Sequence, residues 1–183
     1  LFRYGVRINP DLLMDLQCDF LPFSVNGKDQ FDFLRWNYYP LFEPSTKNPI
    51  TNNLGLIAGK FVNTMDTLDV PGIRKNILLS SSNHSRSIST PALISSAENV
   101  NAPESEDFNK KNLIAGVLLE GKFTSLFKNR VSQSMVDTLN TYGQQFLPEN
   151  KESNKMIIVS DGDIVLNEMY QNAPLPMGMN AYT

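Results

Sequence analysis

The chain has 183 residues, 41% of them hydrophobic, and a formal net charge of -3, which suits one domain with a substantial core. With 16 Lys and Arg against 19 Asp and Glu, no long-range positive field exists to hold phosphates, so nucleic acid and an anionic membrane surface are excluded as expected partners. Cys18 is the one cysteine and His84 the one histidine, which rules out an internal disulfide and supplies too few ligands for a zinc site.

Leu1-Phe2-Arg3-Tyr4-Gly5 reads as the last turn of a helix stopped by a glycine. The chain is therefore expected to be a single soluble domain cut from a longer protein, with any anchor or targeting signal lying outside it. No run reaches the roughly 20 apolar residues of a membrane span. From Leu12 to Val25 the apolar positions alternate roughly with Asp15, Gln17 and Asp19, as in a half-buried strand. Asn26-Gly27 supplies a type I′ turn, and Gln30 to Leu41 carries Phe31, Phe33, Leu34, Trp36, Tyr38 and Tyr39. Residues 12–42 thus read as a long β-hairpin with an aromatic face, ended by Pro40, Pro44 and Pro49.

Further strands are expected at Gly59–Met65, Ile73–Ser80, Leu113–Leu119 and Met156–Ser160. The last two are continuous apolar runs of the kind found in strands covered on both faces, which points to a partly parallel central sheet. Residues 80–90 are rich in serine and read as a polar loop, and Glu98–Asn112 is polar with a short helix over Glu104–Asn109 after Pro103. Val131–Gln145 has apolar residues near helical spacing, and Asp163–Tyr170 is expected to form a short helix after the last strand. The fold class expected from these elements is α/β, a mixed, partly parallel sheet with a long hairpin extension, and α+β is the alternative.

Candidate chemistry sits in a few places. Asp161 and Asp163 in Ser160-Asp161-Gly162-Asp163 follow a strand and open a helix, where α/β folds place ligands. They could meet a hard cation, or Asp161 could simply cap the helix while Gly162 makes the turn. His84 beside Ser80, Ser81, Ser82 and Ser85 would have to carry any triad chemistry, yet no Gly-x-Ser-x-Gly elbow surrounds them. The same loop with Arg86 could cradle an anion, but it lacks glycine. Glu120 and Lys122 flank Gly121 at the end of an apolar strand. Alternation along the hairpin places Phe31 and Phe33 on one face and Trp36 and Tyr38 on the other. One face is expected to pack on the core, and the other to offer rings, Trp36, Tyr38 and Tyr39 among them, to a partner or a sugar.

Four segments together resemble the GldG family of auxiliary components of gliding-motility ABC transporters in Bacteroidetes. They are Tyr4-Gly5-Val6-Arg7-Ile8-Asn9-Pro10-Asp11-Leu12-Leu13, Phe61-Val62-Asn63-Thr64-Met65-Asp66-Thr67-Leu68, Leu118-Leu119-Glu120-Gly121-Lys122-Phe123-Thr124-Ser125 and Val159-Ser160-Asp161-Gly162-Asp163. The resemblance implies an extracytoplasmic segment at the periplasmic face of the inner membrane, anchored by helices outside this chain and associated with an ABC permease and its ATPase. No Gly-x-x-x-x-Gly-Lys-Ser/Thr loop occurs here, so the ATPase would be another chain. It also implies an α/β domain related to class I glutamine amidotransferases and flavodoxin-like folds. The amidotransferase Cys-His-Glu machinery does not carry over, because Cys18 lies in a hairpin strand and His84 has no acid nearby.

The expected function is accordingly a non-catalytic auxiliary subunit, without cofactor or metal, that contacts permease, ATPase or other motility proteins through Trp36, Tyr38, Tyr39, Glu120, Lys122, Asp161 and Asp163. A carbohydrate-binding module on a degenerate amidotransferase-like fold is the alternative, and a cryptic hydrolase built on serine and His84 is the third.

Overall fold

A computed structural model describes residues 1–24, 31–95, 105–177 and 179. Its centre is three adjacent strands, β7 (Ile73–Ser80), β9 (Ile114–Gly121) and β10 (Asn154–Val159), with β9 in the middle. Val117 and Leu119 of β9 pack with Val6, Met65, Ile73 and Ile158. Ala115 and Leu118 join Leu13, Phe42, Val62, Leu78 and Leu79. Both sides of β9 are buried, and this explains its unbroken apolar run.

Such a run does not require parallel neighbours, and among the described residues every strand pairing is antiparallel. The expected α/β architecture with a partly parallel, amidotransferase-like or flavodoxin-like sheet is therefore wrong, as is the α+β alternative: the molecule is mostly antiparallel β-sheet. A βαβ crossover needs a helix lying on the sheet. The one α-helix among the described residues, α1 (Gln133–Thr141), buries no residue. It starts where Ser132 Oγ accepts the Met135 N–H, as an N-cap does. No described helix is long and apolar enough to cross a membrane.

Strands supply the cover instead. β1 (Val6–Ile8) pairs with β6 (Met65–Thr67) and brings Val6 and Met65 over one side of the central strands. Tyr4, in a 3₁₀ turn over Phe2–Tyr4 closed by Gly5 at φ 82°, packs edge-on against Phe123 and donates its hydroxyl to Thr124 O. On the other side lie β2 (Asp11–Asp15), β3 (Cys18–Ser24) and β4 (Phe31–Pro44). Leu12, Met14, Trp36, Tyr38 and Phe108 form a third cluster there.

The hairpin is shorter than expected at its start. Residues 12–15 leave it and pair, as β2, with β8 (Ser85–Ser89), while β3 alone pairs with β4. Asn26-Gly27 lies outside the described residues. Pro40 does not end β4, because it sits where the register jumps between Cys18 and Phe20, and an irregularity of that kind tolerates a missing N–H. β4 then pairs Leu41 and Phe42 with β5 (Ile57–Ala58) and meets β7 at Glu43 and Pro44.

The serine-rich stretch is not a free loop either. Ser81, Ser82 and Ser85 are buried and pack around the buried carboxylate of Asp15. That carboxylate accepts from Ser82 N at 2.7 Å, Ser82 Oγ at 2.6 Å, Ser85 Oγ at 3.3 Å and Gln17 N at 2.8 Å. Hydroxyls can be buried when each has a partner, which composition alone does not reveal. The expected helix at Asp163–Tyr170 is only a 3₁₀ turn at Asp163–Val165, followed by a two-stranded hairpin of β11 (Met169–Tyr170) and β12 (Ala173–Pro174).

Candidate functional site

Gly59–Met65 was expected to be a strand; residues 59–64 instead form most of a junction, running on to Asp66, into which the other elements run. Gly59 N donates to Pro40 O, Lys60 N to Asp161 Oδ2 and Phe61 N to Tyr38 O. Three consecutive N–H groups are thereby given to three different residues, which no strand ladder would do. Gly59 is required there, since a Cβ would lie 2.5 Å from Phe42 Cε2 and 2.6 Å from Val62 Cγ2. Phe61 adopts φ 53°, the left-handed region that costs an L residue about 1–2 kcal/mol. Such strain persists only where the surroundings over-determine it, and the flanking hydrogen bonds do so.

Downstream the junction continues. Leu13 N donates to Val62 O at 2.8 Å, and Ser160 Oγ donates to Asn63 O at 2.6 Å. Asp11 accepts Thr64 N at 2.8 Å and Thr64 Oγ1 at 2.6 Å, and Asn63 Nδ2 donates to Asp11 O. Arg7 pairs with Asp66 and holds its carboxyl below the usual range. Three of the four segments that carry the family resemblance therefore meet here, although up to 150 positions of sequence separate Asp11 from Asp161. The fourth joins through Tyr4, Phe123 and Thr124.

Asp161 is an anchor inside this junction. Its Oδ2 takes Lys60 N, its Oδ1 takes Asp163 N at 2.8 Å, and it is buried. Gly162 has φ −77°, open to any residue, so it is not the special turn residue expected. Asp163 is exposed beside it. Among the described residues no three His, Cys, Asp or Glu side chains gather as a cation site requires.

The aromatic residues separate into two environments. Trp36 is 8% exposed and Tyr38 fully buried, so the face expected to present them to a partner is the core face. Their rings meet tilted at 57°, with 5.3 Å between centroids. The outward face of the hairpin carries Phe20 and Phe33, with Arg35 over the Phe20 ring. Tyr39 alone of the three expected rings reaches the surface. It meets Phe61 edge-on at 5.2 Å, and Lys60 Nζ stands 5.8 Å from its centroid. Lys60 is paired with Glu168 at 2.8 Å, and that hydrogen bond raises its pKa. Burial, opposed by the Lys60 charge, raises that of Tyr39. Phe61 is 45% exposed. Tyr39, Lys60, Phe61 and Asp163 thus form one surface corner braced from inside by Asp161.

Glu120 lies elsewhere, on the central sheet between Arg74 and Lys155, and these two cations, Lys155 foremost, lower its pKa. Lys122 is exposed. The hydroxyls around His84 serve other groups: Ser82 Oγ donates to Asp15 and accepts the His84 backbone N–H, and His84 itself is exposed. Burial pushes the Cys18 thiol up to about 11, which leaves it protonated and unreactive at neutral pH. Arg86 is occupied by Met14 Sδ, Asp107 and the Phe108 ring.

Sequence reasoning missed Lys60, Phe61, Arg74 and Lys155. Gly59-Lys60-Phe61 did hold a signal, a glycine directly before two large side chains in a supposed strand.

No curated protein and no solved structure matches the chain. Over its whole length, residues 1–183, it matches the ABC transport auxiliary family, described as an ABC-type uncharacterized transport system, and it belongs to that family.

Proposed function

We propose that this protein is a non-catalytic, extracytoplasmic auxiliary subunit of an ABC transport complex, the gliding-motility system that its GldG-like segments suggest. In this reading the chain holds its permease through the corner of Tyr39, Lys60, Phe61 and Asp163. The observation that carries it is the convergence of the resembling segments on the Gly59–Asp66 junction. Asp11, Asn63, Ser160 and Asp161 each bond protein backbone there, and Asp11 also takes the Thr64 hydroxyl. Groups so engaged are tied to the fold; they are suited to holding a backbone shape that presents Lys60 and Phe61.

The experiment is affinity capture of the protein from crosslinked native membranes. Permease and ATPase subunits should co-purify with the wild type and fall several-fold with a Lys60→Glu/Phe61→Ser variant that keeps its thermal stability. Equal recovery with the variant would clear the corner of this role, and recovery of neither subunit would refute the transport reading. The carbohydrate alternative loses its groove beside Trp36, because that ring is buried.

A further inference from the structure

β7, β9 and β10 set Arg74, Glu120 and Lys155 in one row across the sheet, each paired with the next in register. Asn76, Leu118 and Ile157 form the next row on the same face, two residues along, where side chains again point the same way. Beside the rows the segment Asn48–Ile50 closes a cleft of about 360 Å³, lined by Arg74, Asn76, Leu118, Glu120 and Lys155 as well. The segment is itself well held, with Ile50 N on Asn48 Oδ1 and Thr51 Oγ1 on Ser45 O.

The charges do not balance. Glu120 Oε2 accepts Arg74 Nη2 at 2.8 Å, Arg74 Nε at 3.2 Å and Asn76 Nδ2 at 3.0 Å, and Lys155 Nζ lies 3.1 Å from Oε1. Two cations share one carboxylate that is only 14% exposed, while they are 73% and 67% exposed. Among the described residues Arg74 Nη1 has no hydrogen-bond partner. The bonds to Glu120 hold the guanidinium through its other nitrogens, so a fixed donor remains and no ordering cost is left to bind it.

We propose that this cleft binds an oxyanion, the carboxylate or phosphate group of a small ligand, between Arg74 and Lys155, with Leu118 and Ile50 as an apolar floor for the rest of the molecule. The volume falls at the small end of the range for small-molecule sites, and planar guanidinium is suited to both anions. The inference stands apart from the permease contact and holds whether or not that contact does.

Nuclear magnetic resonance of the purified chain at low ionic strength tests it, with sodium phosphate and sodium succinate as separate probes. The site predicts saturable shifts of the Arg74 side-chain N–H and the Asn48 and Asn76 side-chain amides. Arg74→Gln should weaken binding about tenfold, equivalent to about 1.4 kcal/mol. Glu120→Gln should tighten it roughly threefold or more, because the competing carboxylate is gone; should that variant not fold, exposed Lys155→Gln should weaken it instead. Saturation by one probe only supports the site and names its oxyanion. Shifts that never saturate, or that survive Arg74→Gln unchanged, would overturn it.

Discussion

The junction at residues 59–66 and the row of Arg74, Glu120 and Lys155 are both polar clusters built across strands, yet they use their groups in opposite ways. In the junction Asp161 and Asp11 meet backbone N–H groups and are committed to the fold. In the row a carboxylate gathers more cationic donors than it can neutralise, and the excess faces a cleft. A saturated cluster holds shape, whereas an unbalanced one leaves capacity for something outside the chain. Burial follows the same division, since Asp161 is buried and Arg74 and Lys155 are exposed.

The largest effect should come from the packing behind the junction, where Trp36 supports Tyr38 and Tyr38 supports Phe61. Trp36→Ala should cost about 3–5 kcal/mol in guanidinium denaturation. Trp36→Phe should cost far less, under about 1.5 kcal/mol, because the buried indole Nε1 has no hydrogen-bond partner among the described residues. A small loss for Trp36→Ala would mean the ring is not core and would revive it as a partner surface.

Next in size, Asp161→Ala leaves the N–H groups of Lys60 and Asp163 without their acceptor. It should cost about 1–3 kcal/mol and make the Lys60–Phe61 turn exchange its amide hydrogens faster. Glu120→Gln should leave that exchange untouched. Similar exchange behaviour in the two variants would erase the distinction between the clusters.

A smaller effect separates two carboxylates by pH. Burial holds Asp15 above its ordinary 3.8, so the stability linked to its proton is present below that value and is lost as pH rises through its folded pKa. Lys155 and Arg74 hold Glu120 below its ordinary 4.5, so its contribution is present above that value and is lost as pH falls through its folded pKa. In urea titrations between about pH 3 and pH 7, the gap between wild type and Glu120→Gln should shrink on acidification, while that between wild type and Asp15→Asn should widen. The smallest change is expected from Phe33→Ala on the outward hairpin face, within about 0.5 kcal/mol.

The sequence made some of this legible. The strands at Ile73–Ser80, Leu113–Leu119 and Met156–Ser160 were readable within a residue or two from their apolar residues, but the two-sided cover expected of the last two holds for β9 alone, since Ile157 of β10 is 51% exposed. Alternation correctly placed Phe33 and Trp36 on opposite faces, but it could not say which face was the core. Strand direction was not readable at all, since a β9 covered by β1 and β6 on one side and by β4 on the other has the same composition as a parallel strand under helices. β8 escaped notice because Ser82 and Ser85 are buried by hydrogen bonding to Asp15, a partner 67 residues from Ser82. Tyr39 and Asp163 were singled out and do share a surface, but their link, Lys60 in a strained turn, depends on contacts that only the fold creates.

The most direct test of the central claim, that a saturated junction presents Lys60 and Phe61 to the transport complex, is photocrosslinking with a benzophenone side chain at position 61 and, as control, at position 33. The account predicts a crosslink from position 61 to the ABC permease in native membranes and none from position 33. A permease crosslink from position 33 alone would contradict it.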